Sequence, residues 1–451
     1  MENSSGSGQQ SKHKNQVQYH RSYIWAYYLV IVIGMWLMTG TQPMGYETKE
    51  MIISDVISGF LLVVFGFLSL NPYRFWAMWA AGFVGGWLLL APLIFSAETA
   101  VAYTHGTFMG TMVMLLIFVI PNIPGIKTIR EEGPNVPVGW SYNPSSWAER
   151  IPVVILGWLG YFTARYLAGY QLEYSQDIWD PFFGDGTKQI LTSHVSESFP
   201  VSDAGLGAVA YILDVVTGLT GRTARWRTMP WIVLIFGFLV IPLGIVSLTL
   251  VILQPVVVGA WCTACLFSAL VTVGMIPFTF DEVLASVQFM WKKKQQGHSL
   301  WHTFWFGGNI EGGESVEYTD AGNKQFKGLM KSLWSDLKLR PWNLFAAIVL
   351  GVWFMISPGL LDFSGKIADS NHLIGALIIS MSIISMSEVV RSLRFINVLF
   401  GAWLIASIWI FDNPGTAVMW SQIIAGVALI ALSFRRGSIN DEHGGFNKHI
   451  K

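Results

Sequence analysis

Only two residues in this chain have side chains suited to reversible covalent redox chemistry, and they are near neighbours. Cys262 and Cys265 are the sole cysteines among 451 residues, in the run Cys-Thr-Ala-Cys. Residues three apart on a helix share a face, and a modest adjustment brings two such sulfurs within bonding reach. The N-terminal half of a helix also favours a thiolate, although that effect fades beyond the first turn. One pair is too sparse for a disulfide scaffold, so the chemistry it suits is thiol–disulfide exchange. The competing reading is two inert, buried, small apolar side chains. No metal site is expected: a second Cys or His pair would be needed, and His298 and His302 fall on the opposite side of the membrane.

The elements that must position this pair are membrane helices. The chain is 53% hydrophobic and 12% charged, with 21 Trp and 29 Phe, and its mean hydropathy is +0.48. Soluble domains carry about 25% charged residues. Apolar runs long enough to span a bilayer occur at about 23–40, 51–70, 75–95, 99–120, 151–170, 205–221, 231–253, 257–277, 342–361, 371–390, 395–411 and 416–434. The runs are continuous rather than alternating, so helices are expected and a barrel is not. No small-residue cleavage site follows the first run, which reads as an uncleaved first helix. With the N-terminus in the cytoplasm and strict alternation, 24 of the 28 Lys and Arg fall on the cytoplasmic side and only Lys49, Lys188 and Lys366 outside. One missed span would invert everything after it, so this asymmetry favours twelve spans with both termini cytoplasmic. The CxxC then lies about two turns into the helix at 257–277, toward the external, disulfide-permissive face.

Internal repeats divide the chain into three blocks of four helices. The pattern Gly-x-Trp recurs at Gly34–Trp36, Gly85–Trp87, Gly351–Trp353 and Gly401–Trp403. A shift of 317 places Trp25 on Trp342 and Gly34 on Gly351; a shift of 316 places Ser54 on Ser370, Asp55 on Asn371, Gly59 on Gly375, Trp87 on Trp403 and Gly110 on Gly426. Each unit is a Trp-bearing helix followed by a Gly-bearing one, as expected where small residues let helix backbones approach in lipid. With the Ser357–Pro358 pair after Trp353, the pattern resembles the SPW repeat family of bacterial membrane proteins. The organisation expected is an SPW-repeat-like domain over 1–120, a Pro/Gly-rich cytoplasmic linker over 121–149, a redox domain over 150–291, a second linker over 292–340, and a second SPW-repeat-like domain over 341–451.

The middle block resembles the vitamin K epoxide reductase family over about 150–280. The resemblance lies in the helix order, in the long external loop 171–204, in the segment TSHVSESFPVSDAGLGAVAYILD with Gly205, Gly207 and Tyr211, and in the CxxC at the outer end of the fourth helix. It implies a four-helix bundle, a quinone of menaquinone or ubiquinone type, and an external thioredoxin-like thiol partner. It also implies that Cys262, nearer the surface, exchanges with that partner, while Cys265, one turn deeper, faces the quinone. Trp261, Phe267 and Tyr211 are the candidate ring-pocket residues, with lipid or core packing as their alternative role. The family's loop usually carries a second cysteine pair; this loop has none, and Thr192 and Ser193 stand about where its second member would fall. Either a partner thiol attacks the CxxC directly, or the activity has been lost or altered.

Among the remaining polar residues, Asp55 suits a helix–helix contact mirrored by Asn371, and His105 a satisfied bundle histidine. Asp214 is a candidate partner for Arg165 or a proton donor. The loop run DIWDPFFGDG fits no standard cation motif, and its Trp179, Phe182 and Phe183 suit an apolar cap or an interface anchor. The leading expectation is therefore a quinone-linked thiol–disulfide oxidoreductase of a bacterial plasma membrane. A non-catalytic structural or assembly protein with a degenerate reductase-like domain is the alternative. A transporter is disfavoured by the three-block layout and the few intramembrane charges. No nucleic-acid partner is expected.

Overall fold

The computed structural model describes residues 3–41, 43–120, 133–315, 341–411 and 415–450. Among them there is no strand beyond two isolated bridges. The first block holds α1 (Asn3–Gly40), α2 (Lys49–Ser69), α3 (Phe75–Ile94) and α4 (Ala100–Met114), the last continued by a π turn Leu115–Val119. The middle block holds α5 (Trp147–Gln171), the short loop helices α6 (Gly186–Leu191) and α7 (His194–Glu197), then α8 (Asp203–Leu219), α9 (Arg225–Thr228), α10 (Pro230–Leu253, continued by a π turn Gln254–Val258), α11 (Thr263–Gln295) and α12 (Leu300–Phe306). The last block holds α13 (Trp342–Leu360), α14 (Lys366–Ile384), α15 (Ile396–Ile410), α16 (Thr416–Phe434) and α17 (Asn447–Ile450).

Eleven of these helices are long and apolar enough to cross a membrane, so the chain is a polytopic all-α membrane protein. The twelfth expected span is α8, whose 17 residues fall just short by length. It nevertheless runs beside α5 from end to end. Gln171 at the end of α5 accepts from Ser202 Oγ and Ala204 N at the start of α8. Arg150 at the other end donates to the carbonyls of Gly218, Thr220 and Gly221. A 17-residue helix is about 26 Å long, against an apolar bilayer core of about 30 Å.

The repeat has a direct physical meaning. In each unit the Gly-x-Trp glycine crosses the glycine of the next helix: a Cβ on Gly59 would lie 2.5 Å from Gly34 O, on Gly110 2.6 Å from Gly85 O, on Gly375 2.6 Å from Gly351 O, and on Gly426 2.9 Å from Gly401 O. Each tryptophan then donates across its own block: Trp87 to Ser54 Oγ, Trp403 to Ser370 Oγ, Trp353 to Ser421 Oγ, and Trp36 to His105 Nε2. Where the last block has Asn371 accepting from Gln422, the first has a more polar cluster. The indole of Trp36 can only donate, so His105 Nε2 is an acceptor and Nδ1 carries the proton. That proton faces Tyr46 Oη at 2.8 Å, and Tyr46 donates to Asp55 Oδ2 at 3.0 Å. His105 is thus a satisfied bundle histidine.

The two ends of the molecule are built differently. At one end the basic side chains are not simply solvated. Arg225 is fully buried and forms a two-pronged pair with Glu282, to which Ser145 also donates. Together with Arg150 it ties off the terminal carbonyls at the C-terminus of α8. Here α11 continues to Gln295, well past the expected end at 277, and segment 133–146 packs on it: Trp140 donates to Gln288 and Tyr142 to Asp281. Residues 121–132 and 316–340 of the two expected linkers lie outside the described residues. The other end gathers the loops between α1 and α2, α3 and α4, α5 and α8, α10 and α11, and α13 and α14. Tyr174 donates to Ala97 O and Trp261 packs edge-on to His372, which fastens the three blocks together there.

Candidate functional site

The site begins where α10 gives way to α11. Gln254, a lone amide in an apolar run, closes the π turn: its carbonyl accepts from Gly259 N and Ala260 N, and its side-chain Oε1 accepts from Cys262 N at 3.0 Å. Gly259 takes a left-handed conformation with φ +74, which a side chain would strain. The chain then re-enters the membrane as α11, and Cys262 is its N-cap residue, with Cys265 N donating to Cys262 Sγ at 3.1 Å. The CxxC is therefore at the first turn of the helix rather than two turns in. A pre-proline amide and a glycine stop the incoming helix later than the apolar run alone suggests.

Cys262 and Cys265 are joined in a disulfide, with Cα atoms 5.3 Å apart. Their surroundings differ, and not in the order expected from depth. Cys262 is 0% exposed, sealed beneath the loop between α5 and α8 by Leu167, Ile178 and Leu191. Cys265 is half-buried and lies on the wall of an apolar cavity of about 300 Å³ inside the bundle, with Tyr211, Ser268, Gln254 and Leu250. Tyr211 is held by Ser268 and by Thr272 Oγ1 at 2.6 Å, one to two turns below Cys265.

The loop is latched to the helix start by one carboxylate. Asp180 accepts from Phe182 N and Phe183 N at 2.9 Å and from Thr187 Oγ1 within the loop, and from Thr263 N at 3.1 Å and Thr263 Oγ1 on α11. Burial pushes this carboxyl up, but the hydrogen bonds from Thr187, Thr263, Phe182 and Phe183 outweigh it and hold it well below the usual carboxylate range. Gly186 lies so close beneath Trp261 that a Cβ would sit 2.2 Å from its carbonyl. Asp177 and Asp185 are both engaged by Lys188, at 2.9 and 3.6 Å. No group of His, Cys, Asp or Glu able to hold a metal occurs among the described residues.

The candidate ring residues separate. Tyr211 lines the cavity beside Cys265. Trp261 stacks on Phe183 and lines a second, larger cavity toward the last block. Phe267 is 42% exposed and lines neither. Arg165 donates to Thr104 on α4 rather than to Asp214, both of whose oxygens are buried without a hydrogen-bond partner. Trp179 and Phe182 are 75% and 78% exposed, placed to anchor at an interface. Sequence reasoning missed Gln254 and the latch role of Asp180. The isolated amide before Pro255 was the available sign of the first; the second needed the loop's path.

Residues 151–280 match the vitamin K epoxide reductase family. The chain carries a vitamin K epoxide reductase family domain. Its match takes in the whole of the long loop, the latch and the CxxC. Residues 341–436 match the SPW repeat domain. No curated protein and no solved structure matches the chain. In the vitamin K epoxide reductase family domain, the turn at Thr192 and Ser193 follows Leu191, one of the side chains that cover Cys262. It also borders a polar cleft of about 750 Å³ on the loop's outer side, lined by Glu173, Ser196 and Glu197.

Proposed function

We propose that this chain is a membrane thiol–disulfide oxidoreductase that couples the Cys262–Cys265 pair to a membrane quinone. One observation carries the reading: the disulfide bridges two environments, a sulfur sealed under a latched polar loop and a sulfur on the wall of an apolar cavity. The cavity fits a lipid-soluble ring in size and lining, with the Tyr211–Ser268–Thr272 hydroxyls as its local polar group. A bound quinone would supply a two-electron acceptor there. The reduced pair would give up two electrons and two protons to such a ring as its one S–S bond forms. In the opposite half-reaction an external thiol attacks Cys262, which requires the loop to lift, releasing Asp180 from Thr263 and drawing Leu191 off Cys262. The helix N-terminus favours the negative charge then left on a sulfur. With no cysteine in the loop to relay electrons, a separate thioredoxin-like protein delivers the thiol itself, and the cleft beside Thr192 shares with the cover over Cys262 the side chain of Leu191.

The charge asymmetry supports an orientation with the CxxC end outside a bacterial plasma membrane and both termini in the cytoplasm. The test is thiol trapping on isolated membranes. The pair should be reduced after treatment with dithiothreitol and return to the disulfide only when a menaquinone or ubiquinone analogue is added. A pair that ignores quinone, or stays reduced throughout, removes the catalytic reading.

A further inference from the structure

A second cavity, of about 730 Å³, lies between the reductase-like bundle and the last block. Its walls are α10 and α11 on one side and α13 and α14 on the other. Along α13 it runs from Ile348 to Leu360, a span of about 18 Å at 1.5 Å per residue. It is therefore a slot lying along the helices, lined mostly by aliphatic side chains, with Phe183 and Trp261 at the CxxC end. Its polar lining groups are Trp261 and His372 near the CxxC end, the latter with its Nδ1 buried without a hydrogen-bond partner, and Ser380, whose hydroxyl already donates to Ala376 O.

The slot and the Cys265 cavity share a wall. Val251 of α10 and Ala269 of α11 line both spaces, and they pack against Ala376 of α14. A partition of one valine and two alanines is thin, and it stands less than one turn below Ser268 on the Cys265 wall. The small cavity has room for a ring but little for a long tail, whereas the slot offers length along mostly apolar walls, with the unpartnered Nδ1 of His372 at the CxxC end. We propose that the slot holds the polyprenyl tail of the quinone whose ring sits beside Cys265, so that the last block serves as the tail site of the reductase-like domain. This rests on the quinone reading above. It gives the SPW repeat block a role in substrate choice: long-chain quinones gain affinity that tailless ones do not.

Gly359 of α13 lines the slot, and a Cβ there meets nothing within 4 Å. Gly359→Phe therefore fills the slot without a backbone clash, and Val352→Phe fills it from another half-exposed position. The full-length protein in detergent would be tested for binding of a long-chain menaquinone and of tailless menadione by filtration, and for KM with each in thiol oxidation. The expected result is a rise of about tenfold in Kd and KM for the long-chain quinone, the size expected for a blocked apolar subsite, with menadione unchanged. An equal loss with both would place the ring in the slot or reveal a general defect, and would overturn the proposal. No change with either would also overturn it, with the tail leaving past exposed Val246 of α10 instead. Binding decides the slot even if neither quinone oxidises the thiols; that result would sink the oxidoreductase reading alone.

Discussion

Replacing Asp180 by alanine should unlatch the loop and open Cys262 to external thiols. Two of the hydrogen bonds to Asp180 come from Thr263 and cross from loop to helix; the others hold the loop's own turn. A hydrogen bond to a charged group contributes about 1.5–3 kcal/mol. Taking the lower value for each of the two and discounting for water that replaces them, the closed loop loses about 2 kcal/mol. If reduction proceeds through the open form, its rate rises with the open population, so about 30-fold. The assay is reduction of the disulfide by glutathione in membranes, quenched with a mass-shifting maleimide and followed on gels. Asp177→Ala is the control, because Asp177 pairs with Lys188 in the same loop and makes no bond to Thr263. A rate for Asp180→Ala equal to or below wild type would refute the claim that this loop guards Cys262.

The same latch predicts a pH response. A carboxyl held below its ordinary value contributes stability that is present above the unfolded value of about 3.9 and is lost as pH falls through the lower folded value. Reduction by a phosphine, whose reactivity does not depend on a thiolate, should therefore stay flat between about pH 7 and 5; a steep rise on acidification in that window would contradict the assignment. At the glycine crossings, Gly59→Ala should destabilise the first block by about 1–3 kcal/mol because its Cβ would strike backbone, while Gly86→Ala, with open space around it, should leave thermal unfolding unchanged. Asp55→Asn, which copies Asn371 of the last block, should cost less than about 1 kcal/mol in thermal stability and leave thiol oxidation intact; a loss of oxidation would give the first block a part in the chemistry.

Much of this protein was legible in its residue order, because bilayer solvation acts on local sequence. Twelve apolar runs, the Lys and Arg asymmetry and the paired cysteines are each readable without knowing what touches what. The repeat was legible for the same reason: Gly-x-Trp and its partner glycine specify a helix crossing wherever they occur, and all four crossings form. The arginines mark the limit. Arg150 and Arg225 count in the sequence only as charges, yet Arg150 caps a helix end 70 residues away and Arg225, which caps the same end, is held by Glu282, 57 residues away.

The chemistry divides at the same line. Sequence alone determined that one dithiol exists, at helix-compatible spacing in an apolar setting, because residue identity and local period suffice for that. Tertiary structure alone decided that Cys262 is the covered sulfur, that Cys265 is the one facing a cavity, that Tyr211 shares that cavity while Trp261 and Phe267 do not, and that Asp180 latches the lid. Each of these depends on which surfaces meet, Tyr211 with Ser268 across 57 residues of chain and Asp180 with Thr263 across 83, and burial is a property of the surfaces that meet rather than of the residue that is covered.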